Sequence, residues 1–343
     1  MRSRESFRSS LEGKTPENVQ VFLYDLSLGI DVLNIPSTDV FIEGGLNGIQ
    51  AGKAILALQK ELGHDAAAGC YKAIDQSVFG GSTKCNEYGL PVLIKKPFED
   101  PFRLYAVAPE DMEGRMDEIK MSYQTVRAGS DIGMALNMVS PFSAAAAMRG
   151  LETFLMDLCT EKGYVRDLLQ FENELFAVMF NELKDVDADA MVLAAPYDNV
   201  DMIDSNMMEL AFRSLRIVSK ASHAEDLPLM LHPHGSLTSE YGKRSLEELL
   251  MLPVDCLYYG ESNDHSEMRR VVKGRCALAG GIDTFTTIYL GPDERVRKDV
   301  NDVMEAMNGE NFIFTCSCSV DRGLSLVRMK SMVDSVRKFH RCP

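Results

Sequence analysis

Two kinds of segment alternate along this chain. Eight short apolar runs are separated by longer segments with helical spacing. The runs are residues 19–24 (VQVFLY), 64–70 (HDAAAGC), 131–139 (DIGMALNMV), 189–195 (DAMVLAA), 227–232 (LPLMLH), 254–259 (VDCLYY), 275–281 (RCALAGG) and 311–316 (NFIFTC). Runs this short and this continuously apolar read as strands buried on both faces, the habit of a parallel sheet. Between them, residues 46–62 place Leu46, Ile49, Ile55, Leu56, Leu58 and Leu62 near helical spacing. Residues 109–127 follow, with acids early and a cation late, as the helix dipole favours. Residues 143–185 read as one or two long helices interrupted near Gly163. Segments 203–222, 244–251, 264–273, 292–307 and 324–340 complete the set, and Gly291-Pro292-Asp293-Glu294 is a good helix start.

Eight strands alternating with helices predict an α/β fold, a closed (β/α)8 barrel with a helical extension ahead of the first strand. The competing architecture is an open doubly wound sheet. No GxGxxG follows the first strand, which argues against its dinucleotide-binding version. The 343 residues suit a single barrel domain spanning 1–343. A net charge of −15 disfavours nucleic acid and anionic membranes as partners, and leaves a homodimer open. There is no apolar run of membrane-spanning length and no secretory signal, so the expected location is the cytoplasm. The eight scattered cysteines are then expected as thiols or metal ligands rather than as a disulfide framework.

Barrel chemistry sits at the C-terminal ends of the strands. The fifth run ends in Leu231-His232-Pro233-His234-Gly235, and alternation sends His232 and His234 to one side. The eighth ends in Phe314-Thr315-Cys316-Ser317-Cys318, where the same rule would put Cys316 and Cys318 on one side. Imidazole and thiolate meeting on a shared rim suit tetrahedral Zn2+. The plainer reading is a hydrogen-bonded histidine pair and inert buried cysteines. Other polar residues at strand ends are Asp25, Asn137, Tyr197, Asp198, Glu261 and Asp283. Asp198, Glu261 and Asp283 are candidates for catalytic work, and Asn137 and Tyr197 for contact with a cofactor; for each, capping a helix is the competing role. His64-Asp65 falls at the stability end of its strand, while His223, His265 and His340 read as surface helix residues.

Several motifs together resemble one family. They are residues 9–16 (SSLEGKTP), 62–66 (LGHDA), 140–142 (SPF) with 148–150 (MRG) and Glu152, 231–235 (LHPHG), 280–283 (GGID), 291–296 (GPDERV), and the tail from Phe312 through 331–333 (SMV). In order and spacing they resemble the uroporphyrinogen-decarboxylase superfamily over nearly the whole chain. True decarboxylases of that group carry an arginine segment that grips substrate carboxylates; here residues 22–26 read FLYDL, without arginine. The likeness is therefore greater to the corrinoid-dependent methyltransferases, the methylcobamide:coenzyme M-like branch, which use a His-x-Cys pair and a distant cysteine on zinc. By that resemblance His232 is a zinc ligand, His234 stands where a cysteine is expected, and Cys318, or alternatively Cys316, is the distal ligand. The implied reaction moves a methyl group between a corrinoid protein, carrying methylcobamide as donor or acceptor, and a small acceptor such as a thiol. The alternatives are a metal-independent decarboxylase, for which Arg127 or Arg149 would have to grip carboxylates, and a non-catalytic corrinoid- or protein-binding barrel.

Overall fold

A computed structural model describes residues 3–24, 27–42, 45–69, 77–86 and 90–339. Eight parallel strands form a closed barrel: β1 Gln20–Leu23, β2 Ala66–Ala68, β3 Gly133–Val139, β4 Ala190–Ala195, β5 Leu229–Pro233, β6 Cys256–Tyr258, β7 Ala277–Ile282 and β8 Phe312–Cys316. Each pairs with its neighbours in chain order, and β8 closes onto β1 through Gln20 opposite Ile313. Every expected apolar run overlaps one of these strands, but the strands start later than the runs do, and β5 and β7 end one residue beyond theirs. The leading residues of several runs form the bottom rim instead.

That rim has a repeating device. Asp65, Asp189 and Asp255 each sit just ahead of a strand and accept a backbone N–H from the strand before it. Val21 N lies 2.8 Å from Asp65, Met134 N 3.0 Å from Asp189, and Leu229 N 2.7 Å from Asp255. Each carboxylate also has a basic partner: Arg337 at 2.7 Å, Arg4 and Arg127 at 2.6 Å, and His223 at 2.9 Å. Asp189 is fully buried, so its removal leaves the Met134 N–H without its acceptor and takes from Arg127 its shortest carboxylate contact. Breaking such a buried pair costs about 3–5 kcal/mol. Because Arg4 is partly exposed, Asp189→Ala is expected at the low end, about 3 kcal/mol by urea unfolding.

The helix Ser3–Leu11 closes the bottom of the barrel. Phe7 stacks on Phe22 with ring centroids 5.9 Å apart, and a Cβ at Gly133 would come within 2.5 Å of the Phe7 ring. Above it the interior mixes small and large side chains, with Ala66 beside Phe22 and Ala279 beside Tyr258 on neighbouring strands and Ala135 and Met230 in the same cluster. This graded filling leaves the polar side chains to the upper end.

The outer helices follow the sequence pattern with three differences. Residues 143–185 belong to three helices, Pro141–Arg149, Leu151–Thr160 and Lys162–Leu183. The first break is at Gly150, whose φ of 94° is foreign to a helix, and the second at Glu161, while Gly163 lies inside the third helix. The segment 109–127 divides into a 3-10 turn, Pro109–Met112, and the helix Asp117–Gly129, because Gly114 takes a φ of 73°. On Gly48–Leu62 the buried stripe runs through Ala51, Ile55, Leu58 and Leu62, leaving Ile49 in solvent and Leu56 half-buried. After β2 the chain also forms a hairpin, Ser82–Cys85 with Pro91–Lys95, that the sequence did not announce. Among the described residues, the cysteines are free thiols and no helix is long and apolar enough to cross a membrane.

Candidate metal centre at the barrel mouth

The ends of β5 and β8 meet at the mouth. His232, the fourth residue of β5, is 1% exposed. Its Nδ1 lies 2.9 Å from the Tyr258 carbonyl oxygen. A carbonyl only accepts, so Nδ1 carries the proton and Nε2 keeps a lone pair. That Nε2 is buried and has no hydrogen-bond partner. Burial pulls the His232 pKa down to about 4, against smaller upward influences of the Tyr258 carbonyl and the Glu261 charge, so the ring is neutral at pH 7. A neutral imidazole with its second nitrogen pinned to a carbonyl is the usual state of a metal-binding histidine.

The His234 ring centroid lies 4.7 Å from that of His232, and His234 Nε2 is 3.9 Å from Cys318 Sγ. One donor atom from each of His232, His234 and Cys318 falls within 4.8 Å of the other two. The loop carrying His234 is braced from both sides. Gly235 has a φ of 93°, and a Cβ there would stand 2.2 Å from Asn199 Oδ1. Buried Asn263 donates to the carbonyls of Gly235 and Gly260 at 3.0 and 3.2 Å, tying the β5 exit to the β6 exit.

The alternation rule fails at β8. Along this strand Phe312, Phe314 and Cys316 face the outer helices, and Cys316 Sγ packs 3.6 Å from Met332 Sδ. Burial pushes its thiol up to about 12. The strand stops at Cys316, and the bend that follows carries Cys318 to the opposite side, toward His234. Cys316 and Cys318 therefore do not share a side, and Cys318 is the thiol at the mouth.

Tyr258 organises the group. Its ring stacks on His232, centroids 3.9 Å apart, and its hydroxyl reaches the carbonyls of Cys316 and Cys318 at 2.8 and 3.2 Å. One side chain thus positions both the imidazole and the thiol loop. Outer partners of this kind are worth about 10–100-fold in metal affinity. If the three donors hold a metal, Tyr258→Phe, which removes only the hydroxyl, is expected to weaken its binding by about that factor with unchanged circular dichroism, measured by competition with a chromogenic chelator.

The other candidate residues are distributed around this centre. Asn137 accepts the Tyr24 hydroxyl at 2.9 Å and donates to Gly69 O at 3.0 Å; Tyr24 in turn meets His232 edge-on, centroids 6.0 Å apart. Asp198 is buried, and its Oδ1 accepts from Ser140 and Ser143, each at 2.6 Å, bracing the start of the helix Pro141–Arg149. Burial raises its pKa to about 6 despite those bonds, and its Oδ2 has no partner. Tyr197 is half-buried, held through its N–H to Ser143 Oγ. Asp283 caps the turn Thr284–Tyr289, accepting from Phe285 N at 2.7 Å, Thr286 N at 3.0 Å and Thr286 Oγ1 at 2.8 Å. Glu261 is exposed at the β6 exit. Asp25 and His340 lie outside the described residues. His223 sits on its helix as expected, whereas His265 is half-buried with Nδ1 2.8 Å from Tyr259 Oη. Arg127 is engaged at the bottom rim, and Arg149 is buried against Asp157 and the carbonyls of Phe98 and Glu99.

Tyr258, Tyr24 and Asn263 escaped the sequence reading. Tyr258 was within reach: it lies two residues after inward-facing Cys256 and so faces the same interior.

The fold and site together define a (β/α)8-barrel protein with a nitrogen–sulfur donor cluster at its C-terminal mouth. The chain belongs to the uroporphyrinogen decarboxylase (URO-D) family, whose model matches residues 50–339. A comparison with curated proteins finds no match. Among solved structures, a methyltransferase from Methanosarcina mazei superposes with a TM-score of 0.81 at 16% identity, covering 98% of each chain. A B12-independent methionine synthase from a Shewanella species, in complex with selenomethionine, gives a TM-score of 0.58 at 10% identity, over 93% of this chain and 96% of that one. A Bacteroidetes-affiliated cellulase gives 0.52 at 9% identity, over 98% and 94%. At these identities the likeness is one of fold.

Proposed function

We propose that this protein is a zinc-dependent methyltransferase that moves a methyl group between a corrinoid, carried by a separate protein, and a small acceptor, a thiol or another nucleophile. The observation that carries the reading is the convergence of His232, His234 and Cys318, with the His232 lone pair buried, unpartnered and held in the ligating tautomer. Two nitrogens and one sulfur fit a borderline-soft cation, and three protein donors leave a fourth position for a substrate, as in catalytic rather than structural zinc sites. Zinc bound there would supply Lewis acidity, lowering the pKa of an acceptor so that it is nucleophilic near neutral pH. The chain's own residues do the rest. Tyr258 and Asn263 fix the donors in place. Glu261, exposed at the mouth, is the acid free to orient an incoming acceptor, whereas Asp283 and Asp198 support the loops and helix that frame the opening. Asn137, through Tyr24, and half-buried Tyr197 shape the wall a corrinoid or acceptor would meet.

The shared fold with the Methanosarcina mazei methyltransferase supports this reading. Decarboxylation without a metal draws no support from Arg127 or Arg149, since both are committed to carboxylates and backbone carbonyls. The test is methyl transfer from methylcobalamin to a panel of thiols, followed by loss of the cobalt–methyl absorbance. Zinc-loaded protein is expected to be the faster, because a metal-bound acceptor is deprotonated at a pH where the free one is not. Equal rates in the two preparations for every acceptor would refute the proposal.

A further inference from the structure

The helix Lys162–Leu183 carries an acid on its buried face. Glu172 is 2% exposed and follows the same stripe as Leu168, Leu175 and Phe176. Its Oε1 is buried with no hydrogen-bond partner. Desolvation is the one influence on its acidity and pushes its pKa up to about 8. It lines a cavity of about 380 Å³ together with Thr83 and Leu93 of the hairpin and Ala144 and Met148 of the helix Pro141–Arg149. Asn137, within β3, and Tyr197, just past the end of β4, line it too.

Two costs fall in one place. A carboxyl with one oxygen unpaired has been desolvated, and the space next to it has been left unfilled, forfeiting packing contacts. A core built for stability would remove both with one larger apolar side chain. A ligand site explains both, because an occupant fills the space and pairs with the carboxyl. The lining selects the occupant. Most of the wall is hydrocarbon, and Glu172 is the one charged side chain among the described lining residues. A plain hydrocarbon would leave the carboxyl unpaired, and an anion would oppose its ionisation and so gain no counter-charge. A cationic N–H donor satisfies it with a charge-assisted bond. The volume lies at the small end of the range for small-molecule pockets, about 300–1,000 Å³.

We propose that this cavity binds a small organic ammonium ion, an amine with a compact hydrocarbon body, through Glu172. The cavity shares Asn137 and Tyr197 with the wall of the mouth but none of the three donors, and the proposal stands whether or not they hold a metal. Tyr197 is the one other titratable group among the described lining residues. Near pH 7 the free site holds a proton on Glu172, and the amine arrives protonated. Pairing of ammonium with carboxylate therefore releases close to one proton per amine bound.

Titration calorimetry of the intact protein with cyclohexylamine at pH 7, in two buffers of different ionisation enthalpy, tests this. Binding is expected, with a buffer-dependent heat that reports proton release. Cyclohexanol should bind about tenfold more weakly, lacking the charge. Glu172→Gln should weaken cyclohexylamine by about tenfold or more, since it keeps the shape and removes the counter-charge. Ala144→Phe, which fills the cavity and leaves the carboxyl, should abolish binding. No binding of cyclohexylamine or benzylamine at millimolar concentration, or undiminished binding by Glu172→Gln, overturns the proposal. Neither readout involves zinc or methyl transfer, so this result and the one on the mouth are independent.

Discussion

Replacing His232 by alanine is expected to leave the purified protein with less than about a tenth of the zinc bound by the unaltered chain, with the barrel intact. The size of the effect follows from the donor count. Outer partners of a metal site are each worth about 10–100-fold in affinity, and a direct donor is worth at least that much. With three side-chain donors, losing the buried one leaves His234 and Cys318, a pair on two loops. Folding should survive for a specific reason. Alanine gives up the stack on Tyr258 and the bond to its carbonyl, yet it also removes a buried nitrogen that lacks a partner in the metal-free chain. Cys318→Ala should behave alike. Cys316→Ala should not, because that sulfur packs on Met332 behind the barrel wall. Zinc by atomic emission and folding by circular dichroism on the three variants decide the matter. Unchanged zinc in both His232→Ala and Cys318→Ala would remove the metal centre.

Glu172→Gln is expected to stabilise the protein at high pH and to change little at low pH. The sign follows from linkage. In the unfolded chain the carboxyl titrates at its ordinary 4.5, and in the folded chain at about 8. Below the lower value both states hold the proton. As pH rises through the window the unfolded chain gives it up first, so stability falls, reaching its floor above the folded value. The gap corresponds to a loss on the order of 4 kcal/mol between pH 4 and pH 9. Glutamine, neutral throughout, escapes that loss. Urea unfolding at pH 5, 7 and 9 should show the variant's advantage growing with pH. An advantage that shrinks with pH would mean that the carboxylate is the stabilised form.

The sequence announces the barrel because a strand buried on both faces has few places for polar residues. The run 189–195 is apolar after its first residue, and all six residues of β4 are buried. Its opening Asp189 breaks the run since it belongs to the bottom rim, where a carboxylate caps the preceding strand. The histidine pair is legible for a related reason: His232 lies within β5 and the chain stays extended to His234, so alternation holds. It does not hold past Cys316, where the strand ends, and spacing alone could not choose between the two cysteines. The acids at the other strand ends are indistinguishable by residue type. Asp283 turns out to cap a turn and Asp198 to brace two serines, whereas Glu261 stays exposed, and only the path of each loop separates them. The hairpin after β2 is short and weakly alternating, so it left little trace. Glu172 was readable, since Leu168, Leu175 and Phe176 mark its face of the helix as buried.

X-ray absorption spectroscopy on the zinc-loaded protein reads the donor set itself. A shell with a single sulfur and two imidazole nitrogens, losing the sulfur in Cys318→Ser and keeping it in Cys316→Ser, is the predicted result. A shell without sulfur in the unaltered chain would contradict it.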